Sequence, residues 1–267
     1  MSMMGIVNLT PDSFSDGGQY YANNHHSFEV IWSHIEPWLN HQIPWLDLGA
    51  ESTRPGATPV DPETEWQRLV PVLDELGKRD IGVSQISIDS RHPTTQLKSL
   101  DYPQVNMINC VAGPKQITNL EHLKHLKHLR PSLHYMAMHL EGEPATMQQQ
   151  PLDESRCVSS VSGFFRDAYQ VLEQLGFDHN HIWLDPGIGF GKTSKACWLL
   201  LDYADQWLKD YQLCYGFSRK SFLRDGQQHM SIAKLDQIGK KLAQELLAAN
   251  KPLIIRTHDP LPLLIKA

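Results

Sequence analysis

Two sets of polar side chains in this chain have the types that bind a charged small molecule. The first set contains hydrogen-bond acceptors that each follow a short apolar segment, namely Asp89, Asn109 and Asp185. Carboxylate and amide oxygens suit a heterocycle that carries several N–H donors. The second set contains cations, namely Arg54, Lys220, Arg256 and His258. Because cationic donors suit phosphate or carboxylate oxygens, the two sets predict a polar ring bound deep in a site and an anion bound near its mouth.

Both sets also have a simpler interpretation. An acid or amide at the end of a strand can cap a loop or a helix, and the cations can form a solvated rim without a ligand. The sequence SRKS, from Ser218 to Ser221, favours a ligand because a following helix is expected to begin there. Free backbone N–H groups at a helix start would favour a carboxylate.

These side chains can meet only if the strands that carry them end at one face. Short apolar segments predict eight strands: Met4–Val7, Trp45–Gly49, Ile86–Ser90, Val105–Val111, His134–His139, Ile182–Asp185, Leu213–Phe217 and Leu253–Arg256. Amphipathic segments predict helices after Ser27, after Asp61 and at Thr118–Leu129, Glu154–Leu175, Ala196–Leu208 and Ile232–Leu247. No linker or shift in composition divides them, so residues 1–267 are predicted to form one α/β domain, a (β/α)8 TIM barrel. A doubly wound open sheet is the alternative.

In a barrel, all the loops that follow the strands share one face. The residues predicted to converge there are Asn8, Asp47, Asp89, Asn109, Asp185, Lys220 and Arg256. Two of the loops are long and rich in Pro, Gly and hydroxyl groups: residues 9–18 after the first strand, and residues 50–59 after the second. Such loops can be plain solvated connections, or they can cover a ligand.

The composition excludes several classes of function. The formal net charge of -6 argues against a nucleic-acid partner, which would need clustered positive charge. The four cysteines lie far apart with no C-x-x-C pair, which indicates reduced thiols. No apolar run approaches membrane length and no basic-then-apolar leader begins the chain, so a cytoplasmic protein without a membrane partner is expected.

Two motifs are misleading. The sequence GIGFGKT, from Gly187 to Thr193, is similar to a phosphate-binding P-loop, but its first glycine stands one residue too close to the Gly-Lys pair. Three histidines recur at every third position of a predicted helix, where the spacing would spread them over an exposed basic face: His122, His125 and His128. Neither a nucleotide triphosphatase nor a metal site is favoured by these residues.

The chain resembles dihydropteroate synthase over nearly its whole length. Eight stretches match in the order of that family, each at a predicted strand end: Asn8–Gly18, Asp47–Gly56, Ile88–Ser90, Ile108–Asn109, Met138–Pro144, Asp185–Thr193, Ser218–Ser221 and Arg256–Asp259. The resemblance implies a pterin-binding TIM barrel that joins p-aminobenzoate to 6-hydroxymethyl-7,8-dihydropterin pyrophosphate. The products would be 7,8-dihydropteroate and pyrophosphate, in folate biosynthesis, and the family is the target of sulfonamides.

The resemblance also implies a role for each matched residue. The pterin would contact Asp89, Asn109, Met138, Asp185, Phe190 and Lys220. The pyrophosphate would contact Asn8, Arg54, Arg256 and His258, with Mg²⁺ as cofactor at Asn8. The p-aminobenzoate would contact Phe14, Thr53, Pro55 and Ser221. The residues expected to carry catalysis are Asp16, Arg54 and Lys220.

The implied chemistry agrees with these residue types. Mg²⁺ and cations would neutralise the charge that develops on the leaving pyrophosphate. The resemblance implies an SN1-like path, in which the electron-rich dihydropterin delocalises the carbocation and the aniline nitrogen attacks second. Asp16 would stabilise the cation and orient the amine, while the two long loops exclude water.

The sequence departs from the pattern in four places. Cys110 and Ala50 replace a usual aspartate and a usual glycine, the strand pair before Met4 is missing, and only eight residues follow Asp259. The family implies a homodimer, which the short ends put in question, and they also allow an excised domain of a fused folate-pathway enzyme. Two alternatives stay open: a drifted pterin-binding paralogue without catalysis, and a methyltetrahydrofolate methyltransferase.

Overall fold

A computed structural model gives the fold. It describes residues 2–10, 21–22, 25–26, 28–52, 58–142, 146–224, 226–227, 229–248 and 252–264. Among the helices in these ranges, none is long and apolar enough to cross a membrane.

Eight parallel strands close into a barrel, which confirms the predicted (β/α)8 fold. The strands are β1 Ser2–Asn8, β4 Trp45–Gly49, β5 Gln85–Asp89, β6 Val105–Cys110, β7 His134–Met138, β8 Ile182–Asp185, β9 Gln212–Tyr215 and β10 Leu253–Thr257. Between β1 and β4 in the sequence, β2 Tyr21–Ala22 and β3 His25–His26 form a separate antiparallel pair. The first strand closes the barrel because it pairs with both β4 and β10, for example Met4 with Trp45 and Gly5 with Thr257. A doubly wound sheet would leave these edges open, so that alternative is wrong.

Helices cover the outside of the barrel. They are α1 Phe28–Asn40, α2 Pro62–Gly77, α3 Pro93–Ser99, α4 Leu120–Leu129, α5 Cys157–Gln174, α6 Ser194–Asp202, α7 Ala204–Trp207, α8 Ile232–Leu247 and α9 Leu261–Leu264. Asp61 starts α2 as predicted, because its side chain accepts from the N–H groups of Glu63 and Thr64. The helix predicted at Thr118–Leu129 is α4, which begins at Leu120 because the Asn119 side chain caps it by accepting from His122 N. Thr118 instead ends a 3-10 turn, Gly113–Thr118.

The barrel interior has an apolar floor with a polar layer directly above it. The floor is built from Met4, Trp45, Met107, Met136, Trp183, Cys214 and Ile254. Because alternate residues of a strand point to the same side, the residue two positions further along each strand also points inward. Those residues are Ile6, Asp47, Asn109, Met138, Asp185, Gly216 and Arg256. Four of these seven residues are polar, so the alternation brings Asp47, Asn109, Asp185 and Arg256 together at the carboxyl end of the barrel.

Candidate active site

Arg256 joins two carboxylates at the centre of the polar layer. Its Nε atom lies 2.6 Å from Asp47 Oδ2, and its Nη2 atom lies 2.6 Å from Asp89 Oδ2. Asn109 Nδ2 donates to Asp47 Oδ2 at 3.1 Å. These four residues converge, as the barrel predicts. The prediction of separate acidic and cationic sets is wrong for Arg256, because two buried carboxylates need a counter-charge in the same layer.

The protonation of this cluster is set by burial. Burial raises the pKa of Asp89 to about 7; Arg256 opposes the rise and Asp47 adds to it. Burial alone would lower the pKa of Arg256, but Asp47 and Asp89 raise it above its ordinary value. Asp89 is therefore a carboxyl group that can gain a proton near neutral pH while Arg256 stays charged.

Asp185 and Lys220 form the neighbouring part of the site. The Oδ1 atom of Asp185 accepts from Gly187 N at 2.7 Å. Lys220 Nζ donates to Ile188 O and lies 4.2 Å from the centre of the Phe190 ring. Burial lowers the pKa of Lys220 to about 8, opposed by Asp185, and burial raises the pKa of Asp185, opposed by Lys220. The two charges thus stabilise each other inside the barrel.

The glycine-rich turn after β8 carries Phe190 into this site. Gly187, Gly189 and Gly191 have φ values of 64°, 81° and 63°, which disfavour any residue with a side chain. A Cβ atom at Gly187 would also overlap the carbonyl oxygen of His139. Phe190 packs against the buried cluster of Val111, Met138, Leu140 and Met147. The turn therefore forms an apolar wall beside Met138.

The cationic and hydroxyl residues lie at the mouth. His258 Nδ1 lies 3.0 Å from Ser218 Oγ. Ser221 is exposed and begins a 3-10 turn that ends at Arg224, whereas the next α-helix starts only at Ile232. The predicted helix start at Ser221 is wrong in this respect. Arg219 reverses the chain there with a φ of 60°, and its Nε atom pairs with Asp236 of α8 at 2.9 Å.

Asn8 is the residue on which the expected Mg²⁺ contact falls, and the structure describes it. It ends β1, is half-buried and pairs in register with Gly49. Gly49 in turn lies close to Asp89, since a Cβ atom added to Gly49 would be 3.3 Å from Asp89 Oδ2. The oxygen of the Asn8 side-chain amide carries lone pairs that can bind a hard cation. A single protein oxygen suits Mg²⁺, which keeps several waters and binds substrate phosphates. The residues present are therefore compatible with the expected ion.

Several residues expected in the site lie outside the described residues. They are Phe14, Asp16, Thr53, Arg54 and Pro55. The base of their second loop is described: Arg91 donates twice to Glu51, with both distances 2.7 Å. Glu51 also accepts from Val60 N at 3.0 Å, so both ends of this loop are fixed to one carboxylate.

Sequence reasoning missed the roles of several site residues. Asp47 was expected at the rim, yet only the fold reveals that it holds both Arg256 and Asn109. Its signal was its place as an acid inside a buried strand. No local signal identifies the Arg91–Glu51 pair, whose members are 40 residues apart. Cys110 belongs to the core outside the barrel, so the replacement of the usual aspartate does not alter the inward layer.

A family described as pterin binding enzyme matches residues 4–257 of the chain. A dihydropteroate synthase from Neisseria meningitidis serogroup C is 34% identical over 96% of this chain and 87% of its own length. A folate synthesis bifunctional protein from Arabidopsis thaliana is 32% identical over 71% of this chain, which is 38% of that protein.

Solved structures of similar proteins have the same fold. The dihydropteroate synthase of Yersinia pestis in a sulfonamide drug complex has a TM-score of 0.83 and 28% identity, covering 98% of this chain and 90% of that one. The dihydropteroate synthase of Xanthomonas albilineans with 4-aminobenzoic acid has a TM-score of 0.81 and 29% identity, covering 98% and 89%. The similarity therefore extends over the whole barrel and all the strand ends described above.

Proposed function

We propose that separate groups of residues at the barrel rim bind the pterin, the pyrophosphate and the p-aminobenzoate. The chain belongs to the pterin binding enzyme family and is a dihydropteroate synthase of folate synthesis. The reaction joins p-aminobenzoate to 6-hydroxymethyl-7,8-dihydropterin pyrophosphate and releases pyrophosphate. The observation that carries the proposal is the polar layer at the carboxyl end, where acids, an amide and cations meet above an apolar floor. A transferase of this kind is favoured over a methyltetrahydrofolate methyltransferase by the named relatives.

The pterin ring binds deep in this layer. Asp89, Asn109 and Asp185 offer oxygens to its amino and ring N–H groups, and Lys220 offers a donor to its acceptor atoms. Met138 and Phe190 cover its faces. The burial of Asp185 supports this assignment, since a buried carboxylate with one backbone donor retains capacity to accept from a ligand.

The pyrophosphate binds at the mouth. Arg256 uses two of its N–H donors on Asp47 and Asp89, so further guanidinium donors stay available for phosphate oxygens. His258, held by Ser218, and Arg54 provide the other cationic donors. Mg²⁺ held at Asn8 would supply a Lewis acid for the charge on the leaving group.

Asp16 and the two long loops act on the reacting centre. Asp16 stabilises the developing carbocation and orients the amine of p-aminobenzoate, in an SN1-like path. Phe14, Thr53 and Pro55 cover that substrate, and Ser221 binds its carboxylate. Lys220 keeps donating to the acceptor atoms of the pterin. Excluding water protects the cation from hydrolysis.

Separating binding from turnover tests this division. Asp16→Ala and Arg54→Ala are each expected to abolish pyrophosphate release while calorimetric pterin affinity stays nearly intact, because the proposal assigns neither residue to the ring. Asp185→Asn serves as the matched variant that should lose pterin affinity itself. A pterin affinity that falls as steeply as the rate in Asp16→Ala would refute the division. Chelation of Mg²⁺ should likewise suppress release and spare pterin binding.

The partners follow from the same activity. The substrates are the two small molecules, and the enzyme acts in the cytoplasm. The family implies a homodimer and the short ends put it in question, so light scattering on the purified protein would test that assembly. Fusion to another folate-pathway enzyme is a known arrangement among relatives, as the bifunctional Arabidopsis protein illustrates.

A further inference from the structure

Lys192 is a buried cation to which the reaction described above assigns no role. Only 4% of the residue is exposed. Its Nζ atom lies 2.9 Å from the carbonyl oxygen of Phe190, 3.0 Å from His139 Nδ1 and 3.5 Å from the carbonyl oxygen of His139. Three N–H donors of an ammonium group thus meet three acceptors, and all three acceptors are neutral. Burial lowers the pKa of Lys192 to about 7, so the position is unfavourable for a lysine that only fills space.

His139 is held in the form that accepts from Lys192. Burial lowers the pKa of His139 to about 2, so its ring is neutral at physiological pH. With Nδ1 accepting from Lys192, the proton of the ring is on Nε2, which lies 3.2 Å from Ser160 Oγ. The His139 backbone N–H donates to Asp185 O at 2.8 Å. Lys192 therefore contacts a fixed segment rather than a mobile side chain.

Two segments meet at Lys192, and each carries one apolar wall of the pterin site. One segment begins at Met138, the last residue of β7, and continues with His139. The other is the glycine-rich turn with Phe190. Their backbones touch, since a Cβ atom at Gly191 would overlap the carbonyl oxygen of Glu141. The side chain of Lys192 spans this junction and binds a carbonyl group on each side of it.

The other end of the turn is fixed independently. Asp185 Oδ1 accepts from Gly187 N at 2.7 Å, and Lys220 Nζ donates to Ile188 O. Gln148 Nε2 also donates to Gly189 O at 3.0 Å, and Leu152 N donates to Gly191 O at 2.9 Å, so the residues on both sides of Phe190 are held as well. All these contacts would survive the loss of Lys192. The carbonyl group of Phe190 would lose its donor, so the displacement would be concentrated on the residue that covers the pterin.

We propose that Lys192 is a positioning residue for the pterin: it ties Phe190 to the Met138–Glu141 segment and so sets the spacing between the two apolar walls that cover the ring. The proposal rests on the proposed function, because it assigns those walls to the pterin. It makes a specific distinction between the substrates. Pterin binding depends on Lys192, whereas the binding of p-aminobenzoate at the mouth does not depend on it.

The test compares Lys192→Met, which keeps the length of the side chain without its donors, and Lys192→Gln, which keeps two donors. Calorimetry with the pterin pyrophosphate alone should give a Kd raised about tenfold or more for Lys192→Met and raised less for Lys192→Gln. The KM for the pterin should rise in parallel, while kcat and the KM for p-aminobenzoate stay within about threefold of wild type. Lys195→Met is the matched control, because that side chain is 84% exposed and should leave every constant unchanged.

Three results would overturn the proposal. The first is a pterin Kd in both Lys192 variants within about twofold of wild type. The second is a loss of kcat and of both KM values in proportion to the fall in Tm, which would make Lys192 purely structural. All assays are run well below the Tm of each variant, and Lys192→Gln carries the test if Lys192→Met does not fold. The third is a wild-type protein that does not bind the pterin, which would refute the proposed function and this inference with it.

Discussion

Asp47 is predicted to hold the site together, and Asp47→Asn tests this with little change in shape. The residue is fully buried and shares its Oδ2 atom between Arg256, at 2.6 Å, and Asn109, at 3.1 Å. Breaking a buried ion pair from one side costs about 3–5 kcal/mol. Because Arg256 keeps Asp89, we expect the lower end of that range, about 3 kcal/mol. At 2–4 °C for each kcal/mol in a domain of this size, the Tm should fall by about 6–12 °C.

The measurement is thermal and urea unfolding of Asp47→Asn beside Glu75→Gln. Glu75 pairs with Lys78 at a similarly short distance of 2.7 Å, but both side chains are on the surface. An exposed pair contributes at most about 1 kcal/mol, so this control should stay close to wild type. A loss below about 1 kcal/mol in Asp47→Asn, or equal losses in the two variants, would refute the reasoning that burial makes the central ion pair important.

Three further predictions concern the site and the fold. Pterin affinity should be bell-shaped in pH. Burial raises the pKa of Asp89 to about 7, so below that pH the carboxylate loses the negative charge that favours the ring N–H groups, and above about 8 Lys220 loses its proton. Because Asp47 raises the pKa of Asp89, calorimetry should find the acid limb of Asp47→Asn at lower pH, and a flat profile would contradict the assignment. Gly187→Ala should lower the free energy of unfolding by at least about 2 kcal/mol in urea and weaken pterin binding, because the residue has a φ of 64° and its new Cβ atom would meet the carbonyl oxygen of His139. An unchanged free energy of unfolding would show that the turn can move. Gln42→Gly should raise the free energy of unfolding by about 0.5–1 kcal/mol in the same assay, because Gln42 follows α1 with a left-handed φ of 57° that glycine adopts without strain. A lower free energy of unfolding would contradict a strained helix end.

The barrel could be predicted from the sequence because its strands are marked twice. Each is a short apolar run, and most of them end at or just before a polar residue or a glycine. The segments Trp45–Gly49 and Ile182–Asp185 agree with the observed strands to the residue. Strand periodicity then places Asp47, Asn109 and Asp185 on the inside, so their convergence also follows from the pattern.

The pairing between side chains could not be predicted in the same way. Arg256 belongs to the last strand and Asp47 to the second strand of the barrel, 209 residues earlier, and only the closure of the barrel brings them together. Arg256 lies among the acids because carboxylates removed from water need a positive charge beside them, and no local sequence pattern shows which cation supplies it. Lys192 was part of a misleading motif, and its importance depends on acceptors that the backbone of His139 and Phe190 supplies in three dimensions.

The most direct test of the central claim is pyrophosphate release by the purified protein with p-aminobenzoate, the pterin pyrophosphate and Mg²⁺. The account predicts release that requires both substrates, matches the dihydropteroate formed and is blocked by a sulfonamide that competes with p-aminobenzoate. Tight pterin binding without release would instead identify a binding module without catalysis. Methyl transfer from methyltetrahydrofolate to a corrinoid acceptor, with no pyrophosphate released, would contradict the assignment of the reaction itself.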